Sequence, residues 1–133
     1  MANTTFTGPV RSQNGFQSVT VSSTTGAVTV NSSFGNDVVL SAQSLSGAGA
    51  VNVTDAFTSL TTTGASQALT LANGSVGEVK VIVHTVDGGS AILTPTTKIG
   101  FSTITFTAVG DAVTLIYTSA GWAVIGSKGV TIA

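Results

Sequence analysis

Nucleophilic catalysis needs a nucleophile, a base and a group that orients the base, and hydroxyls are plentiful here: 23 threonines and 16 serines in 133 residues. Bases are not. His84 is the single histidine, it sits in a run of alternating valines, and no Gly-x-Ser-x-Gly turn accompanies it. It reads as a candidate surface contact. Paired carboxylates for glycosidic cleavage would have to come from Asp37, Asp55, Glu78, Asp87 and Asp111. Asp87 precedes Gly88, Asp111 follows Gly110 and Asp37 follows Gly35-Asn36, so turn and strand-end roles account for them. Cysteine is absent, which removes disulfides, thiolate metal sites and cysteine nucleophiles. The acidic residues do not cluster as a calcium loop requires, and neither Lys-Ser/Thr nor a helix follows Gly47 and Gly49 to cradle a phosphate. The inventory therefore predicts no catalytic residue, no cofactor and no metal. Trp122, the only tryptophan, lies between Gly121 and Ala123-Val124-Ile125 and reads first as core, with a contact to a sugar or partner as the alternative. His84 and Trp122 are thus the two candidate surface-contact residues.

Only 7% of the residues are charged, against about 25% in ordinary soluble domains. Hydroxyls take the place of charges at water-facing positions, and they bond to water without the repulsion that keeps monomers apart. Arg11, Lys80, Lys98 and Lys128 are scattered singly at a net charge of −1, so no basic stripe exists for nucleic acid. The start, Met1-Ala2-Asn3-Thr4-Thr5, lacks the basic and apolar regions of a signal peptide, and no apolar run reaches membrane-span length. Synthesis in a cytoplasm, with no membrane partner, is expected. Sequons at Asn3, Asn31, Asn52 and Asn73 follow from the abundance of Ser and Thr.

The elements that would position these residues are strands. Val19 and Val21, then Val28 and Val30, alternate with polar residues, residues 32–36 make a turn, and Val38-Val39-Leu40 suggests a brief third strand. Residues 41–50 are small and read as a linker. Longer strands are expected at 57–62, 68–72, 78–86, 90–93, 103–108, 112–118, 121–126 and 130–132, separated by Gly, Asn, Asp and Pro. Val79, Val81 and Val83 occupy one face of the third of these, and Lys80, Ile82 and His84 the other. Asp87-Gly88 signals a hairpin into Ala91-Ile92-Leu93, and a second hairpin joins 112–118 to 121–126. No fixed repeat period emerges, so a solenoid is not expected. The reading is an all-β, antiparallel β-sandwich or jelly-roll-like fold with an extended N-terminal arm (1–15), a region of short strands and linker (16–50) and a main sandwich domain (51–133).

Phe6-Thr7-Gly8-Pro9-Val10-Arg11-Ser12, followed by Asn14-Gly15-Phe16, resembles the start of small virion proteins of tailed bacteriophages, especially marine and cyanobacterial ones. Gly77-Glu78-Val79-Lys80, His84, Asp87-Gly88-Gly89, Leu93-Thr94-Pro95, Thr103-Ile104-Thr105-Phe106, Gly110-Asp111 and Gly121-Trp122-Ala123-Val124-Ile125-Gly126 are together similar to a β-rich module of phage capsid-associated and fibre proteins. The resemblance implies a non-enzymatic structural protein on the capsid surface of a virion, often a homotrimer, that decorates and stabilises the head. Its partner would be the major capsid protein or another virion protein. A fibre or spike that binds a host glycan is the alternative, and a monomeric enzyme the reading least served by the residues. Phe6, Pro9, Val10, Arg11 and Phe16 are the candidate residues for docking on the capsid partner.

Overall fold

Valine and threonine fill the segments between turn residues, and β-branched side chains suit a pleated surface better than a helix. The computed structural model describes residues 16–34 and 39–133, and these form strands and connections with no helix. Two compact units are present, Met1–Val39 and Leu40–Ala133.

In the first unit β1 (Phe16–Val21) and β2 (Val28–Phe34) fall on the two strands that the valine alternation predicts and pair antiparallel, with β2 continuing through 32–34 where a turn was expected. Gly26, at a φ of 70°, donates its N–H to the Ser22 carbonyl at 2.8 Å and so closes the turn between them. The expected arm, with Phe6, Pro9, Val10 and Arg11, lies outside the described residues. Phe16 opens β1 opposite Phe34.

The second unit contains β3 (Ala42–Ser46), β4 (Gly49–Val51), β5 (Phe57–Thr61), β6 (Gln67–Leu71), β7 (Val79–Val86) and β8 (Ala91–Pro95). After these come β9 (Ile104–Phe106), β10 (Ala112–Thr118), β11 (Gly121–Lys128) and β12 (Thr131–Ile132). They build two five-stranded sheets, ordered β11-β10-β7-β5-β3 and β12-β9-β8-β6-β4, which pack against each other. The all-β sandwich is therefore the observed architecture, and the eight strands expected from residue 57 onward are all present with ends shifted by at most two residues. The presumed linker at 41–50 is different. It contains β3 and β4, and Val39 and Leu40 precede the strand in place of forming one.

Strand direction departs from the antiparallel expectation. β3, β5 and β7 run parallel, as do β4, β6 and β8, while the later strands add antiparallel. The cause lies in the connections. From β3 to β8 each one carries the chain across to the opposite sheet, so every strand lands beside the strand two earlier and points the same way, where a hairpin would have reversed it. Asp87-Gly88 is such a corner, since β8 pairs with β6 and not with β7. The path is three stacked coils closed at one end by antiparallel strands, which is not a jelly-roll path. Phe57 lies beside Val81 and Leu69 beside Leu93, an offset of 24 residues. That offset relates Gly64, Ser66, Leu69 and Thr70 to Gly88, Ser90, Leu93 and Thr94, a repeat that the short first coil conceals. The stacking also explains Gly89: a Cβ there would lie 2.6 Å from the carbonyl carbon of Gly64 in the corner beneath.

Between the sheets lie Val51, Leu60, Leu69, Leu71, Ile82, Leu93, Ile104, Phe106, Val113, Leu115 and Trp122, each at most 1% exposed. Burial of each such side chain contributes about 1.5–3 kcal/mol, and this core sets which polar side chains come together.

Candidate functional site

A strand turns successive side chains to opposite faces, so β7 must choose between its valines and the set Lys80, Ile82 and His84. The polar set faces inward: Lys80, Ile82 and His84 are each 0% exposed. This corrects the reading of His84 as a surface contact. Register explains it, because Leu60 of β5 sits beside His84 and the imidazole meets the Phe106 ring edge-on at 6.4 Å between centroids. Trp122 is also fully buried, which agrees with its first reading as core and removes the surface-contact alternative. Its Nε1 donates to the Ala72 carbonyl at 2.8 Å, and Tyr117 packs edge-on at 5.1 Å.

Around His84 the sandwich gathers a cluster of polar groups. The Thr62 hydroxyl stands 3.0 Å from His84 Nε2 and accepts the Gly88 N–H at 2.8 Å, tying the corner after β7 to the second coil. His84 N–H donates to the Asp111 carbonyl and the Gly110 N–H to the His84 carbonyl, both at 2.8 Å. His84 Nδ1 is buried without a hydrogen-bond partner. Asp111 Oδ2 accepts the N–H groups of Thr107 at 2.8 Å and Ala108 at 3.0 Å. Burial pushes the Asp111 carboxyl up, but these amides, the Thr107 hydroxyl and the neighbouring His84 outweigh it and hold the group below its ordinary value.

Thr62 and His84 have the spacing of a nucleophile and a base, yet the third member of that arrangement is engaged elsewhere. Asp111 spends its carboxylate on the 107–108 turn, and Phe106 holds the ring in its place. With Thr62 2% exposed and His84 0% exposed, the pair is enclosed by the core. What the cluster does is lock three connections to the buried face of β7.

A second polar group lies at the start of β7. Lys80 Nζ donates to the Asp55 carbonyl, and burial pushes its ammonium below the ordinary value against the pull of Asp55 and Glu78. Asn52 donates Nδ2 to Asp55 Oδ2 at 2.8 Å and accepts the Asp55 N–H at 3.0 Å. Gln43 Oε1 accepts from the Asn52 N–H and the Thr58 hydroxyl, each at 3.0 Å. Sequence reading missed this network because Gln43 falls in the presumed linker; the alternation of Gln43 and Leu45 with Ala42, Ser44 and Ser46 is the signal that could have found it. Asp87 takes the turn role expected of it, Glu78 caps a turn just ahead of the strand it was expected to open, and Asp37 lies outside the described residues. Asp87 Oδ1 accepts the Gly89 N–H at 2.8 Å, and Glu78 Oε2 accepts the Ser75 N–H at 2.8 Å.

The surface shows the reverse pattern. Outward positions of β3, β5, β7 and β10 hold Ala, Ser, Thr, Val, Ile and Phe57, with no ionisable side chain. Ala50, Ala68, Thr70, Ile92, Thr94 and Thr105 do the same on the other sheet. Ile99, Gly100, Phe101, Ala123, Val124 and Ile132 line an open apolar hollow of about 300 Å³. Among the described residues no His, Cys, Asp and Glu side chains group to hold a metal, and no helix is long and apolar enough to cross a membrane. The chain matches no protein-family model and no curated protein sequence.

Proposed function

We propose that this chain is a non-enzymatic structural protein of a virion, a decoration protein that binds and stabilises a phage head. The observation that carries the structural part is the placement of charge. Lys80, His84 and Asp111 are buried, Asp87 and Glu78 cap turns, and the outward positions of four neighbouring strands hold none. Exposed Val79 and Val86 of β7 join the hydroxyls on this surface. An ordinary monomer covers such faces with Lys and Glu, whereas an interface core is depleted in charge. The phage assignment comes from the resemblance of the first 16 residues and of roughly 70–126.

The glycan-binding alternative drew on Trp122, Tyr117 and the loops near Asp87 and Asp111; the indole is buried with Tyr117 packed edge-on against it, and both carboxylates accept amides of their own turns, so these residues give that reading little support. Deleting the chain from its virus tests the decoration role. Heads are expected to assemble and then to rupture at a lower temperature than the parent's; heads of unchanged thermal stability would contradict it.

A further inference from the structure

A sheet edge whose N–H and C=O groups face nothing is a template for another strand unless something guards it. Three of the four edges in Leu40–Ala133 are guarded. β12 has only two residues. β11 ends on Lys128, breaks register with β10 at Thr114/Leu115, and is covered at its start, where Trp122 donates to the Thr97 carbonyl at 3.0 Å and accepts the Ile99 N–H at 2.9 Å. β4 is closed by a side chain: Gln43 Nε2 donates to the Ala50 carbonyl at 2.9 Å, and Gln43 Oε1 accepts the Asn52 N–H at 3.0 Å. Those are the two bonds a neighbouring strand would have made. β3 has no such device. Its residues include no proline and no charge, and its register with β5 is unbroken over all five of them.

The outward groups of β3 follow from its pairing. Phe57 N–H donates to the Ser41 carbonyl and Gly47 N–H to the Thr61 carbonyl, so the odd-numbered residues bond to β5. Successive residues turn their N–H and C=O to opposite sides, which leaves Ala42, Ser44 and Ser46 facing out. Their side chains are exposed as well.

We infer that β3 pairs antiparallel with β3 of a second copy of this chain, about a two-fold axis at Ser44, to make one continuous sheet from two. Ser44 meets its own counterpart and Ala42 meets Ser46, each exchanging N–H and C=O. A second copy is the occupant because the edge complements itself. Donors and acceptors match under the two-fold, the side chains are small, and an uncharged strand on a chain of net charge −1 meets its twin without repulsion. The inference deepens the assembly reading and rests on it, with two-fold closure where the resemblance implies three.

The test uses the full chain, which contains no cysteine. Directly opposed residues of a hydrogen-bonded antiparallel pair have Cα atoms about 5.5 Å apart, a separation that a disulfide spans. Ser44→Cys should therefore form a disulfide-linked dimer under mild oxidation, while Ala68→Cys, exposed on the other sheet, should not. Ser44→Pro removes an outward N–H and leaves the β5 bonds intact. In sedimentation equilibrium it should raise the dimer dissociation constant at least about tenfold, with an unchanged far-ultraviolet spectrum. Ser44→Lys should do the same without altering the backbone. A wild-type chain that stays monomeric at every concentration, or an oligomer that survives both variants, overturns edge pairing. Such a surviving oligomer leaves the assembly reading standing, and that reading fails separately if particles lack the protein.

Discussion

Asp111 shows how a carboxylate can be buried for structure alone. It accepts two backbone amides and a hydroxyl of the 107–108 turn, while its own carbonyl bonds the His84 amide, so one residue joins that turn to β7. Its pKa is held below the ordinary 3.8, which fixes the sign of a pH effect. Between the folded and unfolded pKa values the unfolded chain binds the extra proton, so the stabilisation is fully present above about 3.8 and is lost as pH falls through the folded value. Asp111→Asn should cost about 1.5–3 kcal/mol at pH 7, the range for hydrogen bonds to charged groups. In urea denaturation the variant's midpoint should also fall less than the parent's as pH drops below 3.8. Parallel pH profiles for the two chains would contradict this role.

Among the elements, the corner after β7 carries the most constraint. Gly89 has a φ of 138°, and a Cβ there would meet the Gly64 backbone at 2.6 Å, so neither conformation nor space admits a side chain. Gly89→Ala should destabilise the second unit by more than about 2 kcal/mol, whereas Gly26→Ala, at a φ of 70° with nothing within 4 Å, should cost about 1 kcal/mol. Thermal unfolding of the two variants checks the contrast, and equal losses would argue against stacked corners. Strand positions were legible because valine-threonine alternation and Gly/Asp turns are local signals, and the hairpin pairing Tyr117 with Trp122 was legible for the same reason. Strand direction was not. Asp87-Gly88 serves a hairpin or a corner equally well, and only the later destination of β8 decides between them. His84 misled in the opposite way, since polarity alone assigns it to solvent while Ile82, on the same side of the strand, marks the buried face of β7.

At the scale of the larger unit, the stacked coils bury Lys80, His84 and Asp111, put Asp87 and Glu78 at turns, and leave the outward positions of β3, β5, β7 and β10 without an ionisable side chain. Faces of this kind favour contact with neighbours, because little desolvation of charge opposes it. Within Leu40–Ala133 the coil is closed by antiparallel strands at one end and has β3 as its edge strand at the other, so the same architecture that hides charge also offers a place to add a strand. Cryo-electron microscopy of the purified virus particle tests the structural reading most directly. Density fitting the two five-stranded sheets should recur at lattice positions on the head; particles whose heads carry no such density, or carry it only on the tail, would contradict the decoration role.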